Sequence, residues 1–160
     1  MGEVAVRWSE YERTAGTPPA KMKISEWAAT RRVLGANSAI KGLFQLSMVP
    51  FFVPIMDMCQ SRDVDEIVVC KPAQIGGTTT MLNVIGYYSD QDPSPVMVIL
   101  SDQNTAEYVS SKQIRPMFKE SPKLRRLYIP TDFKKNEINL PNGGYIAITW
   151  ASSVAELGTK

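Results

Sequence analysis

One stretch constrains this chain more than any other. Residues 66–70, Glu-Ile-Val-Val-Cys, form a short apolar run, and Lys71-Pro72-Ala73-Gln74-Ile75-Gly76-Gly77-Thr78-Thr79 follows at once. The run has the length and β-branched character of a buried strand. After the glycines, residues 80–89 read as a helix with Met81, Leu82, Ile85 and Gly86 on one side. A strand, a glycine loop and a helix in that order make a seat for a phosphate. Backbone N–H groups at the helix start point at the anion, and the helix dipole favours negative charge there. The common phosphate-loop pattern is G-x-x-x-x-G-K-S/T. Aligned on Gly76 and Thr78, this loop has Lys71 where the first glycine stands and Gly77 where the lysine stands. A lysine at the front of the loop still reaches the β- and γ-phosphates by folding across it, and Thr78 keeps the hydroxyl that Mg²⁺ needs. The pattern has a plainer alternative, a strand–helix connection that binds nothing, with Thr79 and Thr80 as simple capping residues.

The flanking pattern places this loop in an α/β chain. Residues 25–34 predict a helix with Ser25 as N-cap and Gly35 as its end. An irregular stretch runs to about Val49, and Pro50 opens a helix over 51–61. Residues 96–100 predict a second buried strand, ended by Ser101-Asp102. Residues 105–118 predict a helix with Ala106, Val109, Ile114 and Met117 on its apolar side, kinked or shortened by Pro116. A short basic helix over 122–128 follows. Residues 137–140 and 145–150 flank Pro141-Asn142-Gly143-Gly144, a hairpin signal. The order implies a parallel core with an antiparallel edge pair. Residues 1–23 read as an arm or linker because of Thr14-Ala15-Gly16-Thr17-Pro18-Pro19, and 24–160 as the organised part, with a loop or short helix over 152–159.

Composition removes several classes of chemistry. Histidine is absent, so imidazole bases, Ser-His-Asp hydrolysis and His-ligated zinc are excluded. Cys59 and Cys70 form no disulfide framework and read as small core residues in a reducing compartment. With 18 basic and 16 acidic residues the net charge is +2, far from a histone-like chain. No run approaches the ~18 apolar residues of a membrane span. The apolar stretch 43–58 is broken by Pro50 and Pro54, and the charged N-terminus has no signal-peptide core. These features predict a cytoplasmic protein.

The loop and its surroundings resemble a known family. Lys71-Pro72-Ala73-Gln74-Ile75-Gly76-Gly77-Thr78 is similar to the displaced-lysine Walker A loop of phage terminase large subunits of the lambda GpA type, which commonly read K-S-A-R/Q-V/I-G-x-S/T. Ser25-Glu26-Trp27-Ala28 with Arg32-Val33-Leu34 resembles the family's S-E-W-A…R-V-L signature. Pro50-Phe51 with Ile55-Met56-Asp57, Asp92-Pro93-Ser94-Pro95 and Ile114-Arg115-Pro116-Met117 resemble further segments in the same order. The resemblance spans about residues 24–158.

The resemblance implies a P-loop NTPase-like three-layer α/β domain of the additional-strand type with a mainly parallel sheet, incomplete at the C-terminus. It implies the ATP-binding part of a DNA-packaging motor acting in the host cytoplasm, whose full-length form is also an endonuclease. Expected partners are double-stranded DNA, the small terminase subunit, the portal or procapsid and, at full length, further copies of the chain. ATP and Mg²⁺ are the implied cofactors. Carried over by position, Lys71 contacts phosphate, Gly76 and Gly77 give backbone access with Thr79 beside them, and Thr78 holds Mg²⁺. Phe51 stands where the family often stacks a tyrosine on adenine; a core phenylalanine is the alternative. Gln74 stands where several members carry an arginine that acts as a cis finger. An uncharged Gln cannot neutralise developing phosphate charge, so orienting a water or a phosphate, or capping the loop, is what remains for it.

Turnover also needs a Walker B acid, a carboxylate at the end of an apolar strand. Asp102 is the nearest match and lacks a partner acid; in the family the motif follows the segment resembled by Trp150-Ala151-Ser152-Ser153, beyond Lys160. The chain is therefore expected to bind ATP weakly and not to turn it over. An inactive assembly or DNA-binding module on the same fold is the alternative, with Trp8 and Tyr11 of the arm docking a partner. Lys112, Arg115, Lys119, Lys123, Arg125, Arg126, Lys134 and Lys135 form a basic stretch, either a DNA-facing patch or a solvated helix face.

Overall fold

The computed structural model describes residues 22–35, 38 and 40–151. Most of the arm, with Trp8 and Tyr11, and the segment 152–159 lie outside the described residues. The chain is mixed α/β. Helix α1 (Ile24–Arg31) leads into an antiparallel pair, β1 (Val33–Leu34) and β2 (Gly42–Leu43). Two 3₁₀ turns, Leu46–Met48 and Pro50–Phe52, precede α2 (Val53–Met58). Helix α3 (Gly77–Asp90), strand β3 (Pro95–Leu100) and helix α4 (Gln103–Val109) come next. A π-helical turn (Ser110–Ile114) joins α4 to α5 (Arg115–Glu120), and α6 (Pro122–Arg125) is a single turn. Strands β4 (Glu137–Asn139) and β5 (Tyr145–Trp150) close the described fold.

Several local outcomes depart from the sequence pattern. Helix α1 starts at Lys23, whose N–H donates to the Glu26 carboxylate at 3.2 Å. Ser25, expected as the cap, is buried in the first turn and gives its N–H to Asp57 at 3.0 Å. The helix also stops short of Gly35, because Val33 and Leu34 turn extended to pair with β2. Pro116 neither breaks nor shortens the long helix. Proline lacks an N–H and crowds the carbonyl of the preceding turn, and the wider π turn before it absorbs that crowding. The expected basic helix over 122–128 is only α6.

The three-stranded sheet runs β3-β5-β4. β3 and β5 are parallel from Pro95↔Tyr145 to Leu100↔Trp150, and β4 joins β5 antiparallel as the hairpin predicted. The sheet is thus mixed, with one parallel and one antiparallel pair, rather than mainly parallel. Residues 66–70 are the main correction. They form no strand, and Val68 is 82% exposed. An apolar run becomes a buried strand only when neighbouring strands take its backbone groups and cover its faces. Here Ile67 and Val69 line a cleft of about 480 Å³ together with Val96 and Val98 of β3, and no ladder joins the two segments. The free edge of β3 leaves Met97 and Ile99 exposed, against the expectation of a fully buried strand. Cys70 is exposed, against the expectation of a core residue, whereas Cys59 is half-buried and packs against the core; burial raises the Cys59 thiol pKa.

The helices carry the core. Trp27 of α1 is fully buried and lies across Gly86 of α3. A Cβ at position 86 would overlap the Trp27 ring. Gly86→Ala should therefore destabilise the fold by about 1–3 kcal/mol through overpacking, despite the better helix propensity of alanine. A urea titration reads this; an unchanged midpoint would mean that the two helices separate without cost.

Candidate functional site

The loop 71–76 ends in a tight approach to α3. Gly76 has φ +96° and caps the helix, a conformation glycine adopts without the Cβ penalty. A Cβ there would also strike the Val49 side chain. The cap offers no side chain to the first-turn N–H groups, and no acidic residue occupies that turn. Free N–H groups and an unopposed dipole make this helix start attractive to an anion. Thr80 does not cap the turn; its hydroxyl donates back to the Gly76 carbonyl at 3.1 Å. Thr78 is exposed and Thr79 half-buried beside it.

Lys71 stands across this helix start. Its side-chain stem runs over Gly77, where a Cβ would overlap Cε and lie 3.1 Å from Nζ. The ammonium makes one long contact, 3.5 Å to the Pro72 carbonyl. The lysine at the front of the loop is thus brought back to its far end, and Gly77 is the residue that lets it pass. Gln74 is exposed with φ +62°, the only non-glycine residue with positive φ among those described. Left-handed backbone at a non-glycine residue is uncommon and concentrates in ligand-holding turns. Phe51 is 76% exposed at the head of α2, whereas its neighbour Phe52 is in the core. The core alternative for Phe51 is thereby removed.

Asp102 is otherwise engaged. It is the N-cap of α4, accepting from the Thr105 N–H at 2.9 Å, the Thr105 hydroxyl at 2.7 Å and the Ser101 hydroxyl at 2.7 Å. Those hydrogen bonds hold its pKa down at about 2. No cluster of Asp, Glu, Cys or His suited to a metal occurs among the described residues. The basic stretch is largely committed within the chain. Arg115 donates to the Phe133 carbonyl, Arg126 to Asp90, and Arg125 to the Lys119 carbonyl. Lys135 pairs with Glu107, and Lys119 sits over the Tyr128 ring.

A second feature was not legible in the sequence. A cavity of about 360 Å³ opens beside Thr78 and Thr79, and Arg32 and Gln113 line it. Arg32 follows α1, and Gln113 lies in the π turn. Their separation in sequence gives no periodic signal, so only the packing of α1, α3 and the π turn unites them. The one hint was Pro116, which marks where the helix departs from α geometry.

The family model for the ATPase domain of the phage terminase large subunit gpA matches residues 38–160. No curated protein and no solved structure matches the chain.

Proposed function

The chain belongs to the phage terminase large subunit gpA ATPase-domain family, and from that premise we propose that residues 71–79 hold the triphosphate of ATP. Lys71 meets the β- and γ-phosphates from the front of the loop. Gly76 and Gly77 let the phosphates approach the backbone, and the first-turn N–H groups of α3 point at them, with Thr79 beside them. The exposed Thr78 hydroxyl is the Mg²⁺ ligand. Gln74, held in left-handed backbone at the loop tip, orients a phosphate or water. The exposed Phe51 ring is the adenine-stacking surface of this reading.

The observation that carries this reading is the passage of the Lys71 stem over Gly77, in front of a helix start with no side-chain cap and no acid. The surrounding α/β layers are read as a P-loop NTPase-like domain of the additional-strand type. The wider role is the ATP-binding part of a DNA-packaging motor, with double-stranded DNA, a small terminase subunit and a portal as partners and an endonuclease elsewhere in the full-length protein. Asp102 is engaged as a helix cap, so in this reading it is not the Walker B acid.

Calorimetric titration of the chain with Mg²⁺·ATP tests the site. Lys71→Ala should weaken binding about 10- to 100-fold, the worth of one hydrogen-bonded charge contact. Equal affinity in the two proteins would remove Lys71 from the site.

A further inference from the structure

The glycine turn is supported by a residue far from it in sequence. A Cβ at Gly76 would overlap Val49 Cγ1 and lie 3.6 Å from Val49 Cβ. Apart from the chain neighbours of Gly76, no other described residue comes within 4 Å of that point. Val49 is 5% exposed and belongs to the core. The Gly76 carbonyl is held separately, by the Thr80 N–H at 2.9 Å and the Thr80 hydroxyl at 3.1 Å. Gly76 is thus fixed by hydrogen bonds from its own helix and by van der Waals contact with Val49.

Val49 is also the joint of two 3₁₀ turns. Its N–H donates to the Leu46 carbonyl at 3.1 Å, and its carbonyl accepts from the Phe52 N–H at 3.0 Å. The residues around this joint flank the start of α3. Met48 lines the cavity with Thr78 and Thr79, and Phe52 lines the cleft with Lys71 and Gly77. A valine is a stiff stop, because branching at Cβ restricts its rotamers, and close-packed interiors pass small displacements on to their neighbours. Gly76 is the N-cap of α3, so its placement sets where the first-turn N–H groups point. Groups that must converge on one ligand lose affinity when their support is loosened on the ångström scale.

We infer that Val49 is the positioning residue of the phosphate turn: Gly76 bears on its side chain, and that contact aims the first-turn N–H groups of α3. This role rests on the triphosphate reading of residues 71–79 and adds to it what holds the turn in place.

Two substitutions separate the role from plain core packing. Val49→Ala removes the stop. Val49→Thr keeps the branched shape but buries a hydroxyl, which is not a neutral exchange in a core. Both should lower the urea midpoint of the chain. Only Val49→Ala should weaken tripolyphosphate binding, by about tenfold, the scale of one lost hydrogen bond. Ile138→Val, a buried truncation on β4, which β5 separates from β3, should lower the midpoint and leave binding unchanged. Calorimetric titration in sucrose, which favours the folded state, reads the affinities. In the ligand-free proteins, ¹⁵N relaxation should show backbone order at Gly76 and Gly77 falling in Val49→Ala and retained in Val49→Thr. The role is overturned if Val49→Ala binds like the parent or stays unfolded in sucrose, or if Val49→Thr or Ile138→Val loses as much affinity as Val49→Ala. Failure of the phosphate reading looks different: the parent itself does not bind tripolyphosphate. Relaxation at Gly76 then decides whether Val49 holds the turn.

Discussion

Asp90→Asn should cost the fold about 3 kcal/mol, the scale of removing one partner from a buried ion pair. The Asp90 carboxylate is fully buried. It accepts from the Trp27 indole N–H at 2.9 Å, Arg31 at 2.8 Å, Arg126 at 2.8 Å and the Gln91 amide at 2.9 Å. The bonds fasten the end of α3 to α1 and to Arg126 just past α6. An asparagine keeps one acceptor oxygen and places an N–H₂ against cationic donors. Arg126 is 60% exposed, so its pairing is screened by water and contributes the least; Trp27 and Arg31 carry the loss. Thermal or urea unfolding reads the effect, and a change under 1 kcal/mol would mean that the network is decorative.

The same carboxylate sets a pH dependence. Burial alone would raise the Asp90 pKa, but hydrogen bonds from Trp27, Arg31 and Arg126 outweigh it and hold the pKa below the ordinary value. A group with a depressed folded pKa gives stability that is present above its unfolded pKa, about 4, and is lost as pH falls through the folded value. The parent chain should therefore lose this contribution below about pH 4, and Asp90→Asn should show a shallower acid limb. Parallel acid limbs in the two proteins would assign the acid sensitivity elsewhere.

Gly77→Ala should separate ligand binding from stability. Unlike Gly76, Gly77 has ordinary negative-φ helical backbone, so alanine fits the chain there and slightly favours the helix. Its Cβ meets only the flexible stem of Lys71. The lysine must swing off the helix start, and Mg²⁺·ATP affinity should fall by about 10- to 100-fold, approaching Lys71→Ala. The unfolding midpoint should stay close to that of the parent. The double variant should be no worse than either single one, because both remove the same contact. Undiminished affinity in Gly77→Ala would show that the position of the Lys71 stem does not matter.

Much of this arrangement was legible before any coordinates. The helix after the glycines and the antiparallel hairpin around Gly143 follow from local periodicity and turn chemistry, which short-range sterics decide, whereas the parallel pairing of β3 with β5 joins segments distant in sequence. The placement of Lys71, Gly76, Gly77 and Thr78 around one helix start was legible because such a turn is built from adjacent residues. The misread elements needed information from afar. Residues 66–70 have the composition of a strand, but ladder partners make a strand, and the described residues supply none. Ser25 lies inside the first turn, where the remote Asp57 accepts its N–H, and Phe51 and Phe52 have the same composition but opposite exposure.

The sequence by itself determined the glycine turn at the head of α3, the helix after it, the hairpin around Gly143 and the exclusion of histidine chemistry, since each depends on neighbouring residues or on counting. Tertiary structure alone decided which polar groups are satisfied. It gave Asp90 to Trp27, Arg31 and Arg126, spent Asp102 on a helix cap, and brought Arg32 and Gln113 to one cavity. A buried hydrogen bond depends on which distant groups meet within about 3 Å, and no local pattern in the chain records that meeting.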